Sequence, residues 1–238
     1  METIKKILID KKGKKFYVKN TSKEFHTQWG YVTSADLQKK AGSIVTTSKD
    51  KELFLLDATM HDKFEKIKRG AQIITLKDLG LIVSFTGINK DSFVVDAGSG
   101  SGSLACFVAL HAKKVVSYDV RDDHTSIAKA NAEFMELENV EFKRGNIAEG
   151  IEETDIDVVT LDVPEPWQAL DNLLKSIKPG GFIVSYNPCI TQVQQFVNHL
   201  DDFEELLFMK SVELIEREWI VQGKRVRPTS DAIGHTGF

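Results

Sequence analysis

The sequence predicts an α/β fold in which an open, mostly parallel sheet flanked by helices follows a small N-terminal β domain. Three observations carry this. From Phe93 onward, short β-branched apolar runs alternate with stretches of helical period, the pattern of parallel strands joined by crossover helices. The first run, Phe93-Val-Val-Asp-Ala, breaks into Gly98-Ser-Gly-Ser-Gly102 before helical period resumes at Leu104. Such a junction lets a ligand approach the backbone closely and faces the free N–H groups of a helix start. Before residue 70 the pattern is instead one of short strands separated by Gly, Asn, Ser and Lys-Asp turns.

Composition bounds the reading. A chain of 238 residues suits one sizeable domain plus a small one, here 1–70 and 71–238. With 42% hydrophobic and 28% charged residues it reads as an ordinary soluble protein. No apolar run nears the ~20 residues of a membrane span, and the first ten residues lack a secretory apolar core, so a cytoplasmic protein is expected. Cys106 and Cys189, far apart and flanked by apolar residues, are expected to be buried free thiols, with no metal site. The net charge of −4 hides an asymmetry: residues 1–70 carry 16 Lys+Arg against 9 Asp+Glu, a balance of +7, which leaves −11 for the rest. The clusters Lys11, Lys12, Lys14, Lys15 and Lys63, Lys66, Lys68, Arg69 suit either a phosphate-backbone footprint or the solvated face of a small β domain.

In chain order, Lys15–Lys19, Trp29–Thr33, Gly42–Thr47 and Glu52–Leu56 are expected strands of a small antiparallel domain, followed by an amphipathic connector over Met60–Arg69 with Phe64 and Ile67 inward. A helix over Asp78–Thr86 leads to the Phe93 strand. Strand Lys114–Tyr118 ends at Asp119, a helix covers His124–Leu137, strand Asn139–Lys143 leads to Asn146, and strand Asp157–Leu161 ends at Asp162. Pro166–Ile177 is expected to be helical, Lys178–Gly181 a turn, Phe182–Tyr186 a strand and Thr191–Leu200 a helix. Phe203–Glu218, Trp219–Arg227 and Gly234–Phe238 are expected to add strand, with an antiparallel pair at the sheet edge and a last strand cut short at Phe238.

Ligands of open α/β sheets gather at the carboxyl ends of the strands. Asp96, Asp119, Asn146 and Asp162 end four successive strands. One Asp there is usually a turn former or cap, but four in succession point to a ligand. A dinucleotide loop wants glycine at its sixth place, which here is Ser103. The pattern Asp96-Ala-Gly-Ser-Gly-Ser-Gly102 instead resembles the first motif of class I S-adenosylmethionine-dependent methyltransferases, a Rossmann-like fold, whose acidic residue lies near the methionine amino group. Asp119, 23 residues on, falls where a ribose would lie and can accept both sugar hydroxyls. Asn146 can pair with the adenine edge, although many relatives carry Asp there. Asp162 heads Asp-Val-Pro-Glu-Pro-Trp167, whose prolines stiffen the loop beside the methyl group.

Across nearly its whole length the chain resembles the tRNA adenine-N1 methyltransferases that act at positions 57 and 58. The matching stretches are Phe25–Gly30, Lys68-Arg-Gly-Ala-Gln-Ile73 with Lys77-Asp78, the Gly98 loop, Leu161–Trp167, Ile190-Thr-Gln192, Arg217-Glu-Trp219 and Gly234-His-Thr236. Where the family often has Tyr-Pro before Lys77, this chain has Thr75-Leu76. The resemblance implies S-adenosylmethionine held by Asp96, Gly98, Ser99, Gly100, Ser101, Gly102, Ser103, Asp119, Asn146 and Gln72, and substrate contacts from Trp167, Glu165 and Lys77. It also implies a β domain that helps hold tRNA, and a homotetramer. Asp162 has a role on physical grounds as well: methylation at N1 puts positive charge on adenine, and a carboxylate hydrogen-bonded to the exocyclic amine would offset it and take a proton. His26, His124 and His235 read as structural. Two other classes share parts of the pattern, a small-molecule methyltransferase of the precorrin type and a non-catalytic tRNA-binding subunit. The basic β domain and Glu-Pro-Trp loop argue against the first, the intact glycine loop and Asp162 against the second.

Overall fold

The computed structural model describes residues 1–229 and Gly237, which fall into two compact units: Met1–Lys68 with Ala130–Glu138, and Arg69–Lys129 with the chain from Asn139 onward. The first unit contains β1 (Lys6–Ile9), β2 (Lys15–Val18), β3 (Phe25–Thr27), β4 (Gly30–Val32), the one-turn helix α1 (Ser34–Leu37), β5 (Ile44–Thr46), β6 (Glu52–Asp57) and α2 (Met60–Phe64). Four strands pair antiparallel in the order β2-β1-β6-β5, while β3 and β4 form a hairpin. Period-2 alternation turns Leu8, Val18, Leu53 and Leu55 into one apolar cluster, each buried side chain contributing about 1.5–3 kcal/mol. Phe64 and Ile67 are buried, as the connector's pattern predicts. Thr59 and Asp62 cap α2 reciprocally, and the Lys15 ammonium bonds to Asp62 at 2.6 Å. Burial alone would raise the Asp62 carboxyl, but hydrogen bonds from Lys15 and Thr59 outweigh it and hold the group down to about 2.

The second unit runs through α3 (Leu76–Thr86), β7 (Phe93–Ala97), α4 (Ser103–Ala109), β8 (Lys114–Asp119), α5 (Asp122–Met135), β9 (Val140–Arg144), β10 (Ile156–Leu161), α6 (Leu170–Leu173), β11 (Ile177–Ser185), α7 (Ile190–Leu200), β12 (Trp219–Gln222) and β13 (Arg225–Pro228). From Ala130 onward the residues of α5 belong to the first unit. The sheet has the order β11-β10-β7-β8-β9 with every pairing parallel. The chain steps outward from β7 to β9 and then returns to β10 on the other side of β7. The order in which the chain adds strands reverses between β7 and β10, the place where such sheets open a crevice at their carboxyl ends. Val95, Val116, Val159, Leu161 and Leu173 anchor the core beneath it.

Four expectations change. The helix foreseen over Pro166–Ile177 is a 3-10 turn, Pro166–Ala169, and the single turn of α6. Lys178–Gly181 lies inside β11 as a bulge, because Pro179 offers no N–H and Gly180 takes φ +81; pairing breaks after Ile156↔Ile177 and resumes at Val158↔Phe182. Among the described residues Phe203–Glu218 forms no strand, and β12 and β13 pair with each other and not with the parallel sheet. That segment holds the apolar run Leu206-Leu207-Phe208-Met209 outside any described strand, and Leu207 stays 81% exposed. Cys106 is buried, but Cys189 is exposed at the N-cap of α7, where its apolar neighbour Ile190 also faces solvent. Apart from Gly237, the expected terminal strand Gly234–Phe238 lies outside the described residues. Among the described residues no helix is long and apolar enough to cross a membrane.

Candidate active site

The carboxyl ends of β7, β8 and β10 surround a cavity of about 550 Å³ in the second unit. Its floor depends on a contact that only glycine permits. Gly98 has φ +88, and a Cβ there would lie 2.0 Å from the backbone oxygen of Asp162. The Asp162 N–H in turn donates to the Ala97 carbonyl at 2.8 Å. The first residue of the glycine loop is thereby pressed against the end of β10, which fixes Asp162 beside the loop. The N–H groups of Gly98 and Ser99 both donate to the Tyr118 carbonyl, closing the loop against β8. Gly102, φ +75, meets a different need: a Cβ there would come within 2.9 Å of Ala128, so this glycine seats α4 on α5. The Ser101 hydroxyl accepts from the N–H groups of Gly70 and Ala71 at 2.9 and 3.1 Å, tying the segment that carries Gln72 to the loop.

Two carboxyls dominate the electrostatics. Asp96 is 1% exposed. It accepts from the Ser117 hydroxyl at 2.5 Å and the Thr160 hydroxyl at 2.8 Å, and the Ser99 hydroxyl donates to Ser117 at 2.7 Å. Burial pushes the Asp96 carboxyl up to about 6 against those two hydrogen bonds, and the Asp119 charge adds to the rise. Asp162 faces the solvent of the cavity and, among the described residues, makes no side-chain hydrogen bond or ion pair. Its carboxyl sits deep in a concave wall of protein. That surrounding mass and the Asp96 charge push it up to about 7.

Asp119 is held by three donors: the Gly100 N–H at 2.9 Å and His124 Nδ1 at 3.1 Å on Oδ2, and the Arg121 N–H at 2.9 Å on Oδ1. Asn146 lines the cavity but caps the 3-10 turn Ile147–Glu149, accepting from the Ala148 N–H and donating to Glu149. Gly98, Ser99, Gly100, Ser101, Ser103, Gln72, Asp162 and Glu165 also line it. Asp96, Gly102, Lys77 and Trp167 stand off the cavity wall. Asp96 reaches it through Ser117 and Ser99, and the Lys77 ammonium bonds to Asp78 and the Leu214 carbonyl. Trp167 stacks on His199 with centroids 5.3 Å apart. Sequence reasoning missed His124, which lines the cavity, and the hydroxyls of Ser117 and Thr160. The signal for His124 was its place in the first turn of the helix after Asp119, where a side chain leans back toward the strand end.

Over residues 54–237 the chain matches the family described as tRNA methyltransferase complex GCD14 subunit. It is 32% identical to the tRNA (adenine(57)-N(1)/adenine(58)-N(1))-methyltransferase TrmI of Methanocaldococcus jannaschii, covering 98% of this chain and 92% of that one. It is 33% identical to the tRNA (adenine(58)-N(1))-methyltransferase TrmI of Thermus thermophilus, covering 98% and 93%. Among solved structures it is similar to a SAM-dependent O-methyltransferase of Thermotoga maritima, with a TM-score of 0.86, 27% identity, and coverage of 100% of this chain and 91% of that one.

Proposed function

The chain belongs to the tRNA (adenine-N1)-methyltransferase family, and from that premise we propose that it transfers a methyl group from S-adenosylmethionine to N1 of adenosine at position 57, 58 or both in tRNA. The observation that carries the reading is the carboxyl of Asp162, without a side-chain partner among the described residues, at the carboxyl end of β10 and packed through its backbone against the glycine loop.

The cavity fits the cofactor. Its volume is in the range of small-ligand sites, Gly98 and Gly100 leave the loop without a Cβ at the approach, and Asp119 offers acceptor capacity for a sugar hydroxyl. Ser99 and the loop backbone would hold the amino-acid tail, Asp119 the ribose, and Asn146 with Gln72 the remaining walls. When bound, S-adenosylmethionine supplies an electrophilic methyl group. N1 lies on the base-pairing edge of adenosine, so the base must first leave the tRNA fold, at a cost of a few kcal/mol met by contacts in the pocket. As N1 takes the methyl group the ring gains positive charge. The Asp162 carboxylate accepts a hydrogen bond from the exocyclic amine, offsets that charge and takes the proton. Glu165, hydrogen-bonded to Gln168 at 3.0 Å on the same loop, borders the base.

The basic first unit supplies phosphate contacts, and copies of the chain associate through the exposed apolar residues Leu207, Phe208, Met209 and Ile215. Incubation with methyl-labelled cofactor and either unmodified tRNA or pooled small metabolites tests the assignment. Label is expected in tRNA; label confined to small molecules would replace it with a metabolite methyltransferase.

A further inference from the structure

The stretch Ile190-Thr-Gln192 opens α7, and hydrogen bonds among its side chains lead to the loop of Asp162. The Cys189 thiol meets the Thr191 hydroxyl at 3.1 Å and donates to Gln192 Oε1 at 3.3 Å. With its oxygen so engaged, the Gln192 amide presents Nε2–H to the Pro164 carbonyl and donates to it at 3.1 Å. Pro164 lies two residues past Asp162, in a loop with little means of holding itself, because Pro164 and Pro166 carry no N–H. At its near end the loop is fixed to the sheet, where the Asp162 N–H donates to the Ala97 carbonyl at 2.8 Å. Beyond that point α7 takes over. Gln192, Phe196 and His199 recur at i, i+4 and i+7, one face of a helix. Gln192 bonds to Pro164, Phe196 packs against the core cluster that Val163 also joins, and the His199 ring stacks on Trp167. The helical residues that hold Pro164 and Trp167 are two turns apart, about 10 Å along the axis. The helix therefore grips the loop at both ends, and Gln192 is the grip nearer the carboxyl. A proton acceptor must come within about 2.6–3.2 Å of the group it serves, and a misplacement of about 1 Å can cost about 10²-fold in rate.

We propose that Gln192 is a positioning residue for methyl transfer: its amide, oriented by Cys189, holds the Pro164 carbonyl and so keeps the Asp162 carboxyl at the cavity edge, where the exocyclic amine of the base reaches it. This rests on the reading of Asp162 given above and adds to it the residue that aims the carboxyl.

The test is single-turnover methylation of an unmodified tRNA transcript, with tRNA and S-adenosylmethionine saturating, by the wild type, Gln192→Met, Gln192→Lys, Asp162→Asn and Asp162→Asn combined with Gln192→Met. Calorimetry of S-adenosylhomocysteine and thermal unfolding accompany it. Gln192→Met keeps the length of the side chain without a donor, and should be about tenfold slower, the scale of one hydrogen bond. Gln192→Lys keeps a donor of similar reach and should recover most of that loss. Both should bind S-adenosylhomocysteine and unfold as the wild type does. Because Gln192 acts through Asp162, Gln192→Met should slow Asp162→Asn little further. The proposal is overturned if Gln192→Met transfers methyl at the wild-type rate, if its loss comes with weaker cofactor binding or a lower unfolding temperature, as a merely structural role would give, if Gln192→Lys is no faster than Gln192→Met, or if the two losses multiply in the combined variant. An Asp162→Asn protein that keeps the wild-type rate overturns the reading of Asp162, and the role of Gln192 with it. A slow Asp162→Asn beside a normal Gln192→Met overturns only the role of Gln192.

Discussion

At the scale of single residues, two carboxyls have proton affinities raised for different reasons. Asp162 is raised by the surrounding protein mass and the Asp96 charge, with no bonded partner among the described residues, so its carboxyl is available at about 7. Single-turnover methylation should therefore fall as pH drops below about 7, with one proton per step, because the protonated carboxyl cannot accept. Asp162→Asn should lower the plateau by about 10²-fold, the scale of general-base loss, and remove that limb. Near-normal rates with both ligands saturating would make Asp162 a structural cap. Asp96 is raised by complete burial. Its folded-state value of about 6 lies above the ordinary carboxyl value of 3.8, so the folded protein binds the proton more tightly than the unfolded chain. The stability this contributes is full below about 3.8 and lost as pH rises through 6. Denaturant unfolding across that window should show the wild type losing ground relative to Asp96→Asn; a constant difference would mean that Asp96 does not titrate there. The strand-end acids were legible because each closes an apolar run. The hydroxyls that hold Asp96 were not, since Ser117 and Thr160 sit on neighbouring strands and only the sheet register brings them to it.

At the scale of elements, the glycine loop works by close approach as much as by backbone freedom, and two glycines separate the effects. Gly98 at φ +88 and Gly180 at φ +81 share the same backbone region, but an added Cβ meets the Asp162 carbonyl at the first and open space at the second. Gly180→Ala should cost about 1 kcal/mol from conformation alone. Gly98→Ala should cost several kcal/mol and abolish binding of S-adenosylhomocysteine, because β10 would have to move. Equal losses in thermal unfolding would show that the contact between β7 and β10 is unimportant. The alternation of strand and helix was readable from period. The bulge in β11 was not, because Lys-Pro-Gly-Gly has the composition of a turn between elements, and only the resumed pairing of Phe182 with Val158 shows that the strand continues. Phe203–Glu218 has apolar residues enough for a strand, yet apolar content specifies a face to bury and not a neighbour to pair with.

At the scale of the whole molecule, the N-terminal excess of positive charge is divided between fold and surface. Lys15 is committed to Asp62, and Lys15→Ala should destabilise the first unit by about 1–3 kcal/mol, the range for a hydrogen bond to a charged group. Lys11 bonds to Glu52 at the surface, Lys14 to Gln28, and Lys12 offers its ammonium to solvent. Replacing Lys11, Lys12 and Lys14 with Ala should leave the fold intact and reduce the slope of log affinity for tRNA against log salt by up to about 0.9 for each lost duplex contact. An unchanged slope would place the footprint elsewhere. The charge asymmetry was visible in the sequence, but which lysines are already paired was not, because Asp62 lies 47 residues from Lys15 and meets it only in the folded unit. The chemistry assigned to the site is methylation at N1 of adenine. It is tested most directly by nucleoside analysis of an unmodified tRNA transcript, and of transcripts substituted at adenosine 57 or 58, after incubation with the protein and S-adenosylmethionine. The expected product is 1-methyladenosine, lost when the target adenosine is replaced; N6-methyladenosine, or methylation that survives replacement of both adenosines, would contradict it.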